Sequence, residues 1–124
     1  ANPKPGSITG IISWWWPLTI GAVQALKQMN RTDVRIFNHY FSNQLLEEMS
    51  RPDSPVEFST DVPWHIMGEQ VAEIAMKLGK GEQVPAFQSV VPVTQITKDQ
   101  ATQALAEVKK MDDEAIAYLK QYGG

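Results

Sequence analysis

The residues best suited to chemistry are three consecutive tryptophans, Trp14, Trp15 and Trp16, which Pro17 follows. The apolar run 8–13 predicts a strand before them, and Pro17 suits the first turn of a helix after them. In open α/β folds the carboxyl ends of the strands form the crevice where ligands bind. Indole rings at that place could wall a ligand site, because they offer flat apolar faces and N–H donors. In the alternative interpretation, Trp14 packs into the core, and Trp15 and Trp16 cover an interface.

Two other kinds of chemistry have weak support. His65 and Glu69 lie four residues apart on a predicted helix and could share a metal ion, but a third ligand is needed and His39 is distant in the sequence. The chain has no cysteine, no nucleophile elbow, and no histidine near a serine–acid pair in the sequence. We therefore predict no metal, no cofactor and no catalytic residue, so that an enzyme is the least favoured class.

The composition is that of one small globular domain. The chain has 124 residues, of which 43% are hydrophobic and 20% are charged, and its net charge is −3. Nucleic-acid binding usually leaves a basic stripe, and no cluster of Lys or Arg forms one here, so no nucleic-acid partner is predicted. The first six residues have the composition of an interior stretch or a processed end.

Strand and helix patterns alternate along the chain. Apolar runs and alternation predict strands at 8–13, 34–37, 56–60 and 86–93. Helical spacing predicts helices at 18–29, 42–49 and 63–78, and Thr97 with Gln100 forms a capping-box pattern before a final helix that Asp112 and Asp113 could divide. This order predicts an α/β fold in three layers, with a mostly parallel sheet flanked by helices.

The ordered set of segments resembles the C-terminal part of type I periplasmic solute-binding proteins, with the ribose-binding branch of sugar ABC importers as the most similar pattern. The segments that carry the resemblance are 8–27, 33–36, 59–64, 67–68, 78–85 and 93–100, with Ala72 between them. They follow one another in the family's order and cover most of residues 8–104.

The resemblance implies two flavodoxin-like lobes joined by crossover strands, with the ligand trapped in the cleft between them. By this analogy residues 1–60 belong to the C-terminal lobe, and residues 61–124 supply a crossover, a helix of the N-terminal lobe and the terminal segment. The chain looks like well under half of a family member. The implied partners therefore include the missing N-terminal part of the same protein or another chain.

The resemblance also implies a set of ligand-binding residues, in which this chain departs from the sugar-binding pattern. Trp15 and Trp16 stand where sugar binders commonly carry an Asn-Asp pair, and Tyr40, beside Asn38, stands where they carry a second Asp. Asp61 replaces a Gln at the later crossover. Aromatic rings can stack on a sugar, but with a carboxylate at the rim they also suit a compact cation or amine oxide, for which each ring contributes about 0.5–2 kcal/mol.

Two functions follow from the resemblance. The first is a periplasmic receptor, or an extracellular lipid-anchored one in a Gram-positive organism, that traps a sugar or polyol and delivers it to an ABC permease. The second is a periplasmic sensor protein that binds a methylated amine or amine oxide and signals to a membrane histidine kinase. A third hypothesis, from the residues alone, is a flavodoxin-like interaction domain that binds no small ligand and uses the tryptophans as an interface.

Overall fold

A computed structural model describes residue 4 and residues 6–62, 64–86 and 93–122 of the chain, with the exception of the His65 side chain. Strands and helices alternate within these ranges. The strands are β1 (Gly10–Ser13), β2 (Arg35–His39), β3 (Val56–Asp61) and β4 (Thr94–Thr97), and the helices are α1 (Trp16–Gln28), α2 (Asn43–Met49), α3 (Trp64–Gly79) and α4 (Ala101–Tyr122). A short 3₁₀ turn, Lys98–Gln100, leads into α4.

The four strands form one sheet in the order β1-β2-β3-β4. The β1–β2 and β2–β3 pairs are parallel, and a bulge lies between Ile36 and Phe37 in the second pair. The predicted fold class is therefore confirmed: the chain is α/β, with a mostly parallel sheet flanked by helices. Strand 86–93 was also predicted, and all of it except Ala86 and Val93 lies outside the described residues.

The chain divides into two compact units, Ala1–Thr60 with Gln95–Gly124, and Asp61–Thr94. The hydrophobic core of the first unit lies between one face of the sheet and helices α1, α2 and α4. Its buried members are Val23, Leu26, Val34, Ile36, Leu45, Leu46, Met49, Val56, Ile96 and Ala101. The second unit contains α3, on which Val71, Met76 and Leu78 are exposed.

Local signals in the sequence account for the helix starts. Pro17 lies in the first turn of α1, and Ser42 caps α2 by accepting a hydrogen bond from the Leu45 N–H at 3.2 Å. The predicted capping box is present, with the Thr97 N–H donating to Gln100 Oε1 at 3.1 Å. The division of the last helix at Asp112 and Asp113 was wrong, because α4 runs unbroken through both residues.

Helix α4 packs on the unit that contains the sheet. It contacts α2, and Lys109 Nζ forms an ion pair with Glu47 Oε1 at 2.9 Å. Asn43 Nδ2 donates to Asp112 Oδ2 at 2.9 Å. Among the described residues, no helix is both long and apolar enough to cross a membrane.

Candidate functional site

The predicted site residues lie at or just after the carboxyl ends of three neighbouring strands. The register pairs Ser13 of β1 with Asn38 of β2, and Asn38 with Ser59 of β3. Because β1, β2 and β3 are parallel, the turns that follow them lie along one edge of the sheet. These turns contain the tryptophans and Tyr40.

Asn38 is buried beneath this edge and is only 3% exposed. Its Oδ1 accepts a hydrogen bond from Thr19 Oγ1 at 2.5 Å, and its Nδ2 donates to Ser59 Oγ at 2.8 Å and to the Tyr40 carbonyl oxygen at 2.9 Å. The amide therefore connects α1, β3 and the turn after β2. These three hydrogen bonds favour a role for Asn38 in positioning the neighbouring site residues.

Tyr40 has a left-handed backbone conformation, with φ of 62°. This conformation costs a residue with a Cβ about 1–2 kcal/mol, so the surroundings must hold it. The Tyr40 N–H donates to the Thr60 carbonyl oxygen at 2.8 Å, and the Tyr40 carbonyl oxygen accepts from Asn38. Both bonds fix the turn that carries the phenol ring.

An aromatic cluster of Trp14, His39 and Tyr40 lies at the same edge. The ring centroids are 4.6 Å apart for Trp14 and His39, 4.0 Å for His39 and Tyr40, and 6.4 Å for Trp14 and Tyr40. His39 Nδ1 lies 2.6 Å from Thr60 Oγ1, a hydrogen bond whose direction depends on the histidine tautomer. This bond ties the imidazole ring to β3.

Trp15 and Trp16 have different surroundings. Trp15 is 54% exposed and is the N-terminal cap residue of α1, where its carbonyl oxygen accepts from the N–H groups of Leu18 and Thr19. Trp16 is half-buried and packs against the hydrophobic core. Thr19 links Trp15 to Asn38, because its hydroxyl also lies 3.5 Å from the Trp15 carbonyl oxygen.

Asp61 is the last residue of β3 and belongs to the second compact unit. It is half-buried. Of the five predicted ligand-binding residues, the structure thus groups Trp15, Trp16, Asn38 and Tyr40 in the unit that contains the sheet. Asp61 is described within the other unit.

The aromatic cluster borders a shallow depression of about 450 Å³. Its walls are Ile12, Ser13, Trp14, Phe37, Asn38, His39, Phe58 and Thr60. The depression extends from the carboxyl edge over the sheet face that points away from α1 and α2. Its lining is apolar and aromatic, so it suits an apolar surface or a ligand that packs on aromatic rings.

A second depression, of about 540 Å³, lies beside the amino-terminal ends of β2 and β3. Its cations already have partners. Lys27 Nζ lies 2.9 Å from Glu48 Oε1, and Lys98 Nζ donates to the carbonyl oxygens of Pro52 and Ser54. The hydrogen bond to Glu48 is the main reason that the pKa of Lys27 is raised. Because these cations are already paired, this depression is a weaker candidate for ligand binding than the carboxyl edge.

Trp14 and His39 also lie at the carboxyl edge, but they are not among the five predicted ligand-binding residues. The interpretation that buried Trp14 in the core was wrong, because Trp14 is 70% exposed. Their exposure could have been predicted from the alternation of side chains along a strand. Ser13 and Asn38 point into the unit, so their neighbours Trp14 and His39 must point to the opposite face.

Comparison with solved structures supports the fold. The chain is 29% identical to a sugar ABC transporter protein from Yersinia enterocolitica, with a TM-score of 0.68 over 80% of this chain and 29% of that one. It is 27% identical to an ABC transporter solute-binding protein from Agrobacterium vitis with bound allitol, with a TM-score of 0.74 over 85% and 36%. An ABC sugar transporter subunit from Rhodobacter sphaeroides is 28% identical, with a TM-score of 0.68 over 78% and 34%.

Neither a family model nor a curated protein matches the chain. The chain spans about a third of the length of the three solved structures. The resemblance predicted from the sequence is confirmed: the chain is structurally similar to part of a type I periplasmic solute-binding protein of the kind that serves sugar ABC transporters.

Proposed function

We propose that the chain is part of a solute-binding receptor that traps a small polar solute, a sugar or polyol, between two lobes and delivers it to an ABC importer. The observation that carries the proposal is the similarity to a solute-binding protein with bound allitol, at 27% identity and a TM-score of 0.74. Receptors of this kind act by closure, since contacts to both lobes favour a closed state that the membrane partner recognises. This role involves no chemical step, so the protein is not an enzyme, and it works in the periplasm or outside the cell.

In this proposal residues 1–60 belong to the C-terminal lobe, and residues 61–124 supply the crossover, a helix of the N-terminal lobe and the terminal segment. Trp15 and Tyr40 contact the solute through their rings, and Trp16 supports the turn from the core side. Asn38 holds the turns in register, and Asp61 contributes from the crossover. The exposed ring of Trp14 extends the same aromatic surface.

A second function has one specific observation in its favour. The ring centroids of Trp14, His39 and Tyr40 lie within 6.4 Å of one another, and Trp15, the residue after Trp14, is 54% exposed. Several aromatic faces around one point attract a methylated amine or amine oxide more than a polyol. The alternative is therefore a sensor that binds such a compound and signals to a membrane histidine kinase.

The indole N–H resonances of the chain provide the test. We would titrate the chain with allitol and ribose, and separately with trimethylamine N-oxide and betaine. The Trp15 signal is followed in the unmodified chain, and the remaining indole signals are followed in the Trp15 variants. Trp15→Phe keeps a ring face and Trp15→Leu removes it, so the proposal predicts binding to the first variant and a loss of at least about tenfold with the second. Tyr118→Leu is the matched control, because Tyr118 is an exposed aromatic residue of α4.

Shifts with polyols alone support the importer receptor, and shifts with methylated amines alone support the sensor. If none of the four compounds moves an indole signal at 10 mM (a concentration about ten times a millimolar Kd), either in the chain or in the full receptor to which the proposal assigns it, the solute-binding proposal is wrong. In that case the interaction-domain hypothesis replaces it.

A further inference from the structure

The polar side chains beneath the carboxyl edge of the sheet are bonded to one another. Asn38 accepts a hydrogen bond from Thr19 Oγ1 at 2.5 Å and donates one to Ser59 Oγ at 2.8 Å. Thr19 and Ser59 are fully buried, and Asn38 is only 3% exposed. Because none of these groups reaches the surface, none of them offers a hydrogen bond to a solute that lies on the edge. They stabilise the strand ends from within.

Two further hydroxyl groups at this edge are also engaged. Thr60 Oγ1 lies 2.6 Å from His39 Nδ1, and Ser13 Oγ donates to the Trp15 carbonyl oxygen at 3.3 Å. A solute hydroxyl that bonded to either group would replace an existing hydrogen bond, so the exchange would yield little net free energy. The serine, threonine and asparagine side chains at the ends of β1, β2 and β3 are therefore poor partners for a hydroxyl-rich solute.

The same edge exposes the surfaces of aromatic rings. Trp14 is 70% exposed and Trp15 is 54% exposed. The ring centroids are 4.6 Å apart for Trp14 and His39 and 4.0 Å apart for His39 and Tyr40, so the three rings form a continuous cluster. Ring faces pack well against C–H groups, whereas a hydroxyl group covered by a ring face loses its water without gaining a partner. The edge therefore favours a solute that turns an apolar group toward the rings.

We propose that the solute is a deoxysugar, in which a methyl group stands where the parent hexose carries a hydroxymethyl group. The methyl group packs on the rings of Trp14, His39 and Tyr40, and the hydroxyl groups of the sugar bond to the other lobe of the receptor. The ring centroids lie within 6.4 Å of one another, so no planar group can insert between the rings, whereas a methyl group can pack on the surface of the cluster. The assignment rests on the proposed sugar-binding function and narrows the class of sugar.

Matched pairs of sugars test the proposal. Calorimetric titrations of the chain, and of the full receptor to which the proposed function assigns it, compare D-fucose with D-galactose, L-rhamnose with L-mannose, and D-quinovose with D-glucose. Within each pair the first sugar lacks the C6 hydroxyl group and is otherwise identical to the second. We expect the tightest-binding sugar to be a deoxy member, with a Kd at least about threefold below that of its parent, because it buries a methyl group without desolvating a hydroxyl group.

Substitution of Trp14 separates ring packing from a general loss of structure. Trp14→Ser should lower the preference for the deoxy member at least about twofold, because one exposed ring of the cluster is removed. A merely structural defect would weaken both members of a pair alike and leave the preference unchanged. Trp14→Phe keeps a ring face and should retain the preference even where Trp14→Ser abolishes binding. Tyr118→Ser, which removes an exposed ring of α4, is the control and should leave the preference unchanged.

Failure of this proposal is distinguishable from failure of the proposed function. If a parent sugar binds at least as tightly as its deoxy partner, or if allitol or ribose binds and no member of the pairs does, the deoxysugar proposal is wrong and the receptor function stands. A preference that Trp14→Ser does not reduce also overturns the proposal, since the methyl group would then pack elsewhere. If no sugar or polyol binds to the chain or to the full receptor, both proposals are wrong.

Discussion

Asn38 holds the backbone of Tyr40 from beneath the carboxyl edge of the sheet. The Asn38 Nδ2 donates to the Tyr40 carbonyl oxygen at 2.9 Å, where Tyr40 has a left-handed φ of 62°. A buried polar residue thus fixes an aromatic residue two positions later in the chain. The same amide also bonds to Thr19 and Ser59, so one side chain connects α1, β3 and the turn after β2.

The first prediction concerns this network. Asn38→Ala should lower the free energy of unfolding by about 2–4 kcal/mol, because the Thr19 and Ser59 hydroxyls and the Tyr40 carbonyl oxygen lose their partner in a buried place. Urea unfolding measures the change. Gln24→Ala, on an exposed position of α1, is the control and should change stability by less than about 0.5 kcal/mol. If Asn38→Ala lowers the free energy of unfolding no more than the control does, water must replace the hydrogen bonds of the amide without loss of stability, and the prediction is wrong.

The second prediction concerns the Tyr40 backbone. Tyr40→Asn and Tyr40→Val both remove the ring contacts with His39 and Trp14, but only asparagine tolerates the left-handed region readily. We expect the valine variant to be less stable than the asparagine variant by about 1 kcal/mol. Thermal unfolding of the pair isolates the backbone effect. Equal stability would show that the turn relaxes to a negative φ once the ring is removed.

The third prediction is a pH dependence at the turn before β2. Arg31 Nε donates to Asp33 Oδ1 at 2.6 Å, and this hydrogen bond is the main reason that the pKa of Asp33 falls from 3.8 to about 2. The carboxylate therefore stabilises the fold at pH values above its ordinary pKa. That contribution is lost as the pH falls from about 4 to about 2.

An NMR titration of the Asp33 carboxyl carbon measures this directly. The midpoint should lie near 2 in the unmodified chain and return toward 3.8 in Arg31→Gln. Arg51→Gln removes an arginine that pairs with Glu48 instead, so it should leave the Asp33 midpoint unchanged. A midpoint near 3.8 in the unmodified chain would contradict the ion pair.

Much of this fold could be predicted because its signals are local. Ser42 and the Thr97–Gln100 pair mark helix starts through hydrogen bonds within three residues, and Pro17 marks one through its fixed φ and missing N–H. Each of them lies at a helix start in the structure. The strand ends were less accurate. The predicted strand 34–37 continues as far as His39, because the residues that extend it pair with β3, which is not a local property.

The candidate site was harder to predict for the same reason. The three consecutive tryptophans are conspicuous in the sequence. Their separate roles, however, depend on which face of the sheet or helix each one occupies. Alternation from buried Ser13 places Trp14 beside His39, whereas Trp16 already lies in the first turn of α1 and packs on the core. The role of Asn38 depends on contacts with residues 19 and 21 positions away. Sequence spacing alone does not reveal such contacts.

The last prediction concerns α4, whose two halves have different surroundings. In the first half Ala101 is buried, Leu105 and Val108 pack on the core, and Lys109 is paired with Glu47. In the second half Ile116 and Leu119 are exposed. Amide exchange should therefore be at least about tenfold slower at residues 105–112 than at 116–121, because the second half can unwind without disturbing the core.

Exchange measured by NMR on the chain at two concentrations checks this. Lys109→Ala should speed exchange in the first half more than in the second, since its ion pair with Glu47 lies there. Protection of the second half that rises with concentration would mean that Ile116 and Leu119 are covered by a second copy. Protection that is uniform at both concentrations would contradict the exposure of this half and would require that the helix end packs within its own chain.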